Sequence, residues 1–237
     1  MRSDRSSSAH FQMGNESGAA ESESGDASRS YRRRRLPHWR MHGATYFVTF
    51  RLKDALPRHV VDCWREKHEA WHRAHGLDAH LAPAEWQRIY NAIPQRERSA
   101  FEENRKARYF MELDRSHGAC LLRRPQAAQA VADALRFLHG KRLNCGDFVI
   151  MPNHVHWLLA PNPGCELERI LQSVKRFAAS KINRLCARTG PLWQKESYDH
   201  IVRNEAELLR IRTYIANNPG KALLRPGEYL YHCADDE

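Results

Sequence analysis

Residues 143–161 read LNCGDFVIMPNHVHWLLAP, and this stretch decides the fold. Two extended runs, Asp147 to Met151 and His154 to Leu159, are joined at Pro152 and Asn153, both turn formers, which predicts a tight β-hairpin. Side chains alternate along a strand, so His154 and His156 project from one face while Val155, Trp157 and Leu159 take the other. The apolar alternates anchor the strand in a core, and anchored imidazoles lose little entropy on gripping a metal. Two histidines make part of a coordination sphere; a polar third ligand must come from another element. The bare pair also fits two ordinary strand histidines.

Working outward, TYFVTFRL at 45–52 is β-branched and aromatic between Gly43 and Pro57, which predicts the first strand. Residues 57–112 are dominated by helix formers, broken at Gly76, Pro83 and Pro94, and read as a helical insert with Trp64, Trp71 and Trp86 as core anchors. Pro125 opens a helix with Ala128, Val131, Leu135 and Leu138 on one face, closed by Gly140. From Glu166 to Ala187 the positions Leu167, Ile170, Leu171, Val174, Phe177, Ile182 and Leu185 keep helical period, with Arg169, Gln172, Arg176 and Arg184 on the other side. Trp193 and Gln194 follow in a loop, placed equally well to stack on a base or to close the core. A short strand at Tyr198 to Val202 precedes Asn204 and Glu207, an N-cap with its capping-box partner, for a last helix ending near Asn218 before Pro219 and Gly220. The order is βαββαβ: an α+β, ferredoxin-like antiparallel sheet with an added C-terminal helix carrying Tyr214, helices on one face and the other face open to a ligand.

In the last helix Tyr214 and Asn218 stand one turn apart, beside the apolar stripe of Leu208, Ile211 and Ile215. If that stripe packs on the sheet near His154 and His156, Asn218 is the third metal ligand and Tyr214 a nucleophile towards a phosphate diester. Taken alone, Tyr214 also fits a packing residue and Asn218 a helix-terminating one.

The 237 residues carry 38 Lys and Arg against 28 acids, a net charge of +10 that points to a polyanionic partner. Residues 1–30 are rich in Ser, Gly and Glu and read as a disordered tail; with three basic and five acidic residues they leave about +12 on the rest, a single domain over 31–237. Arg32, Arg33, Arg34 and Arg35 lie between Tyr31 and Trp39, a pattern suited to phosphate pairing with base stacking and equally to a solvated charge run. The sequence holds no apolar run long enough for a membrane span, its first residues carry no apolar signal core, and the six cysteines never form CxxC. The reading is a cytoplasmic protein with reduced thiols.

The segments GATYFVTFRL, FMELDRSHGACLLRRP, VIMPNHVHWLL, GPLWQKESYDHIVRN and RTYIANNPGKALL, in this order from Leu36 to Leu224, resemble the REP-associated tyrosine transposases, the single-tyrosine branch of the HUH nucleases. The resemblance implies a divalent metal, Mg²⁺ or Mn²⁺, held by His154, His156 and Asn218, and Tyr214 attacking DNA to leave a 5′-phosphotyrosine and a free 3′-OH. Two imidazoles and an amide are softer than Mg²⁺ prefers, which favours Mn²⁺. It also implies single-stranded or hairpin DNA as partner, a monomer or homodimer, and a nucleoid-associated prokaryotic setting. DNA is expected along Arg169, Lys175, Arg176, Lys181 and Arg184, with Arg203 and Lys221 near the tyrosine. Two departures stand out: the expanded 57–112 stretch, and an ending after Lys221 without the expected tryptophan-containing tail. The rival expectation is a regulator of the same fold that binds hairpins and has lost chemistry.

Overall fold

The computed structural model describes residues 43–234, together with the backbone of two short paired strands, β1 (Arg32–Arg33) and β2 (Pro37–His38). The expected tail at 1–30 and the side chains of Arg32, Arg33, Arg34 and Arg35 lie outside the described residues. Next come β3 (Tyr46–Arg51), α1 (Arg58–Ala74), α2 (Pro83–Ala92), α3 (Gln95–Asp114), α4 (Pro125–Arg136), β4 (Leu143–Ile150) and β5 (His154–Pro161). The chain continues through α5 (Leu167–Leu185), β6 (Tyr198–Ile201), α6 (Glu205–Lys221) and β7 (Leu230–His232).

The α+β expectation holds. The main sheet runs β6-β3-β5-β4-β7 with every neighbouring pair antiparallel. Its first four strands have the ferredoxin-like order, and β7 extends it past β4, an edge strand the sequence reading lacked. At three residues, β7 is too short to show a period. The β4–β5 hairpin turns at Pro152 and Asn153, closed by Met151 N–H donating to the His154 carbonyl at 2.8 Å. A bulge in β4 between Cys145 and Phe148 contains Gly146, where a Cβ would sit 3.0 Å from both Cβ and O of Leu158; only glycine lets the strands approach so closely.

Register sorts the core into two layers. Val155, Trp157, Phe148 and Phe50 share one face, where the Arg136 guanidinium of α4 lies over Phe148 and Trp193 meets Phe50 edge-on at 5.0 Å. Helices α4 and α5 pack on this side. Thr49 pairs with His156 and Arg51 with His154 on the opposite face, which is covered by Phe110 of α3 and Tyr214 of α6. The expectation of an open face is therefore corrected: His154 and His156 are fully buried, because the insert delivers α3 across the sheet beside α6.

Other local readings shift for physical reasons. Helix α6 runs past Asn218 to Lys221 with Pro219 inside its last turn; the missing proline N–H costs one bond at a fraying end, and Ala222 N–H still reaches the Asn218 carbonyl at 3.1 Å. Phe177 and Leu185 leave the packed stripe of α5 and are 46% and 55% exposed. Of the insert tryptophans only Trp64 adjoins the main core; Trp71 stacks on Phe101 and Trp86 on Tyr90, a separate aromatic cluster.

Asn204 caps α6, its side-chain oxygen accepting from Glu207 N–H at 2.8 Å, while the Glu207 carboxylate accepts from Arg203 N–H at 2.8 Å. Replacing Asn204 with Ala orphans the Glu207 donor, so urea unfolding should show a loss of about 1 kcal/mol with an unchanged denaturant slope.

Candidate metal and nucleophile site

The hairpin tip is clamped before it presents any chemistry. Leu52 N–H donates to the Asn153 carbonyl at 2.8 Å, Leu122 N–H to the Pro152 carbonyl at 3.1 Å, and the Asn153 amide to the His117 carbonyl at 3.0 Å. That last bond orients Asn153, whose side-chain oxygen then accepts from Nδ1 of His154 at 2.7 Å. His154 consequently carries its proton on Nδ1 and turns a bare Nε2 inward. The ring of His156 is held at Nδ1 by the Thr49 hydroxyl at 2.7 Å and stacks on Phe47 at 5.5 Å.

The two Nε2 atoms lie 3.1 Å apart. Two nitrogens bound to one ion at about 2.1 Å are separated by roughly 3.0–3.4 Å, so this spacing already suits shared coordination. Burial brings the His154 imidazole down to about 3 and holds His156 well below its ordinary value, with the neighbouring imidazole and Lys221 adding to the effect. Both rings are neutral at physiological pH, the form that binds metals.

A third group arrives from α3. Asp114, its last residue, places Oδ1 4.0 Å from His154 Nε2, and Asp114, His154 and His156 can offer ligand atoms all within 4.8 Å of one another. Asn218 of α6 donates through Nδ2 to Asp114 Oδ1 at 3.4 Å, while its own Oδ1 is buried without a hydrogen-bond partner. An orphaned buried acceptor beside a carboxylate and two neutral imidazoles is a donor set that a divalent cation fits. Burial raises Asp114 to about 6, opposed by the Asn218 amide and Lys221.

Tyr214 completes the group. Its hydroxyl lies 3.3 Å from His156 Nε2, and its ring stands edge-on to Phe47 at 6.0 Å and to Phe110 at 5.9 Å. Burial, followed by the Asp114 charge, pushes the phenol well above its ordinary value. Lys221, one turn past Asn218, sets its ammonium 4.9 Å from the Tyr214 ring centre.

The structure thus gathers His154, His156, Asn218, Tyr214 and Lys221 from the sequence-derived set and adds Asp114, which that reading missed. Thr49 and Asn153, which orient the rings, were also missed, although MPNH and the strand alternation of 45–52 were in view. The other described basic residues of that set lie elsewhere. Arg203 precedes α6, roughly 15 Å along the axis from Tyr214. Arg169, Arg176, Lys181 and Arg184 are exposed on α5, across the sheet from the tyrosine. Lys175 is turned inward: its ammonium donates to the carbonyls of Gln194 at 2.7 Å and Lys195 at 3.1 Å, and burial brings it down to about 8. Trp193 closes the core, 8% exposed and donating to the Lys175 carbonyl.

Thr49 supplies a separable test of ring orientation. Thr49→Val keeps shape and removes the hydroxyl from His156 Nδ1; Mn²⁺ affinity, followed by calorimetric titration, should fall roughly 10–100-fold.

Residues 127–218 match the family model described as transposase, IS200 like, so the resemblance read from sequence is borne out over the stretch that runs from α4 to Asn218. An uncharacterized protein of Haemophilus influenzae is 32% identical over 31% of this chain and 52% of its own length; the chain spans about half of that relative. A solved structure of a REP-associated tyrosine transposase bound to a REP hairpin is similar with a TM-score of 0.37 and 16% identity, covering 81% of this chain and 73% of that one.

Proposed function

We propose, taking the IS200-like transposase match over residues 127–218 as premise, that this chain is a metal-dependent endonuclease and strand transferase acting on single-stranded DNA at hairpins. The observation that carries the reading is the meeting of the Tyr214 hydroxyl with the paired histidines at 3.3 Å. A helix and a strand 58 residues apart in sequence supply a phenol and two imidazole nitrogens to one buried point.

His154, His156 and Asn218, with Asp114 as a further ligand, would hold Mn²⁺ or Mg²⁺. The ion supplies charge stabilisation at the phosphoryl oxygens and lowers the cost of phenolate character. Tyr214 Oη forms the bond to phosphorus, the bond from phosphorus to the 3′-oxygen breaks, and the phenolic proton ends on that oxygen. The products are a 5′-phosphotyrosine and a free 3′-OH. The ester keeps the phosphodiester energy for rejoining, so no nucleotide cofactor is required. Lys221, beside the ring, favours the negative charge developing on the phenol oxygen. The buried aromatic walls of Phe47 and Phe110 exclude water that would otherwise compete as nucleophile.

Phenol and metal ligands come from one chain, so a monomer is sufficient for the cleavage step and a homodimer would carry two complete sites. Among the described residues no helix is long and apolar enough to cross a membrane. Action beside the nucleoid follows from the DNA substrate. The test is covalent capture: a labelled hairpin-bearing oligonucleotide with Mn²⁺ should become attached to protein, and should not when a chelator is present.

A further inference from the structure

The sheet face away from Tyr214 carries two aromatic rings that packing does not account for. Phe137, at the end of α4, is 68% exposed, and Phe177, on α5, is 46% exposed. Each is topped by an ammonium: Lys141 lies 3.9 Å from the Phe137 ring centre and Lys181 4.8 Å from that of Phe177. The two pairs belong to one surface. Lys181 also reaches Asp133 at 3.8 Å, and Asp133 stands one helical turn before Phe137. Arg142 donates to the Ser173 hydroxyl at 3.3 Å, and Ser173 stands one turn before Phe177.

Charge decides what kind of partner suits the rings. Lys141 and Lys181 lie on the rings and Arg142 beside them, while α5 also carries the exposed Arg169, Arg176 and Arg184; the acids of these segments are Asp133, Glu166 and Glu168. The Arg169–Glu166 pair at 2.9 Å and the Lys181–Asp133 pair cancel locally, leaving Lys141, Arg142, Arg176 and Arg184 against Glu168, a positive excess. An apolar protein partner would gain from the rings and be opposed by the net positive charge. A strand of unpaired nucleotides uses both, its bases meeting the π-faces and its phosphates the cations. Duplex offers no free base faces and would use the charges alone.

We propose that the outer face of α4 and α5 binds unpaired nucleic acid by stacking bases on Phe137 and Phe177, in a site separated by the sheet from the Tyr214 centre. The ligand class rests on the nucleic-acid reading above; the site and its stacking mode are additional to it. The surface holds a stretch of strand other than the one at the tyrosine, so it adds affinity without taking part in cleavage.

The test uses the full chain and a fluorescein-labelled 20-mer of thymidine, followed by anisotropy across a salt series. The Phe137→Ala/Phe177→Ala double variant, altered only at exposed positions, should bind at least tenfold more weakly with an unchanged slope of log affinity against log salt. Arg176→Ala should flatten that slope by about 0.7. Tyrosyl adduct formation at saturating hairpin should be unaffected in the double variant. Equal affinity of the double variant and the native chain would overturn the proposal. So would a native dimer in sedimentation that the double variant dissolves without any change in oligonucleotide binding, since a second copy would then be the occupant. Absence of the tyrosyl adduct while the phenylalanine-dependent binding persists would refute the enzyme reading and leave this surface standing.

Discussion

Tyr214→Phe should abolish the covalent DNA adduct outright while leaving the protein folded and able to bind both Mn²⁺ and DNA. The substitution removes one oxygen. The ring stays edge-on to Phe47 and Phe110, so the packing is kept, and loss of the 3.3 Å contact with His156 costs about 1 kcal/mol. A melting shift of a few degrees is therefore compatible with complete loss of chemistry, because among the described residues the Thr49 hydroxyl sits at His156 Nδ1 and Tyr214 carries the hydroxyl at Nε2. The measurement is gel separation of protein-linked oligonucleotide with Mn²⁺, for the native chain, Tyr214→Phe and His154→Ala side by side. Native labelling with both variants blank is the expected pattern. Free cleaved product from Tyr214→Phe would instead mean that an activated water does the work, and no product from any of the three across varied hairpins would favour a binding protein without chemistry.

How much of this was visible in the sequence depends on range. The β4–β5 hairpin, the common face of His154 and His156, and the Asn204 cap were legible because each rests on neighbours within four residues, where strand alternation and helical period act directly. Tyr214 and Asn218 were legible as a pair for the same reason, although only the fold brings them to the histidines. Asp114 was not. It stands 40 residues before His154 at the end of a polar helix, and nothing within FMELD distinguishes it from a solvated acid. The covering of the histidine face was missed too, since its cause is the path of α3 rather than any feature of the sheet. Phe177 illustrates the opposite error: a residue in phase with an apolar stripe is nonetheless 46% exposed. Lys175 was counted among the DNA-contacting residues because a sequence cannot show that the 193–197 loop folds back to take its three donors.

The second large effect is on stability, through protons and metal together. His154 and His156 are neutral when folded, His154 brought down to about 3 and His156 well below its ordinary value, whereas in the unfolded chain both titrate near 6.5. Below that pH the unfolded state binds protons that the native state refuses, so stability falls as the solution is acidified. His72, brought down to about 4 chiefly by burial, acts in the same direction. Asp114 acts oppositely: raised to about 6, it takes up a proton in the native state before it does in the unfolded one, which offsets part of the loss between about 6 and 4. Two buried imidazoles outweigh one carboxyl, and acidifying metal-free protein from pH 7 to 5 should cost about 3 kcal/mol, or roughly 6–12 °C in melting temperature. Mn²⁺ requires the same neutral nitrogens and a charged Asp114. At a hundred times its dissociation constant it should add about 2.7 kcal/mol near pH 7 and progressively less towards pH 5, where the neutral form of Asp114 opposes it. His154→Ala should erase the Mn²⁺ increment. Thermal melts at pH 7, 6 and 5, with EDTA and with Mn²⁺, would test this directly. A native chain whose melting temperature ignores Mn²⁺ at every pH would mean that the 3.1 Å nitrogen pair and the orphaned Asn218 oxygen are packing features and not a metal site.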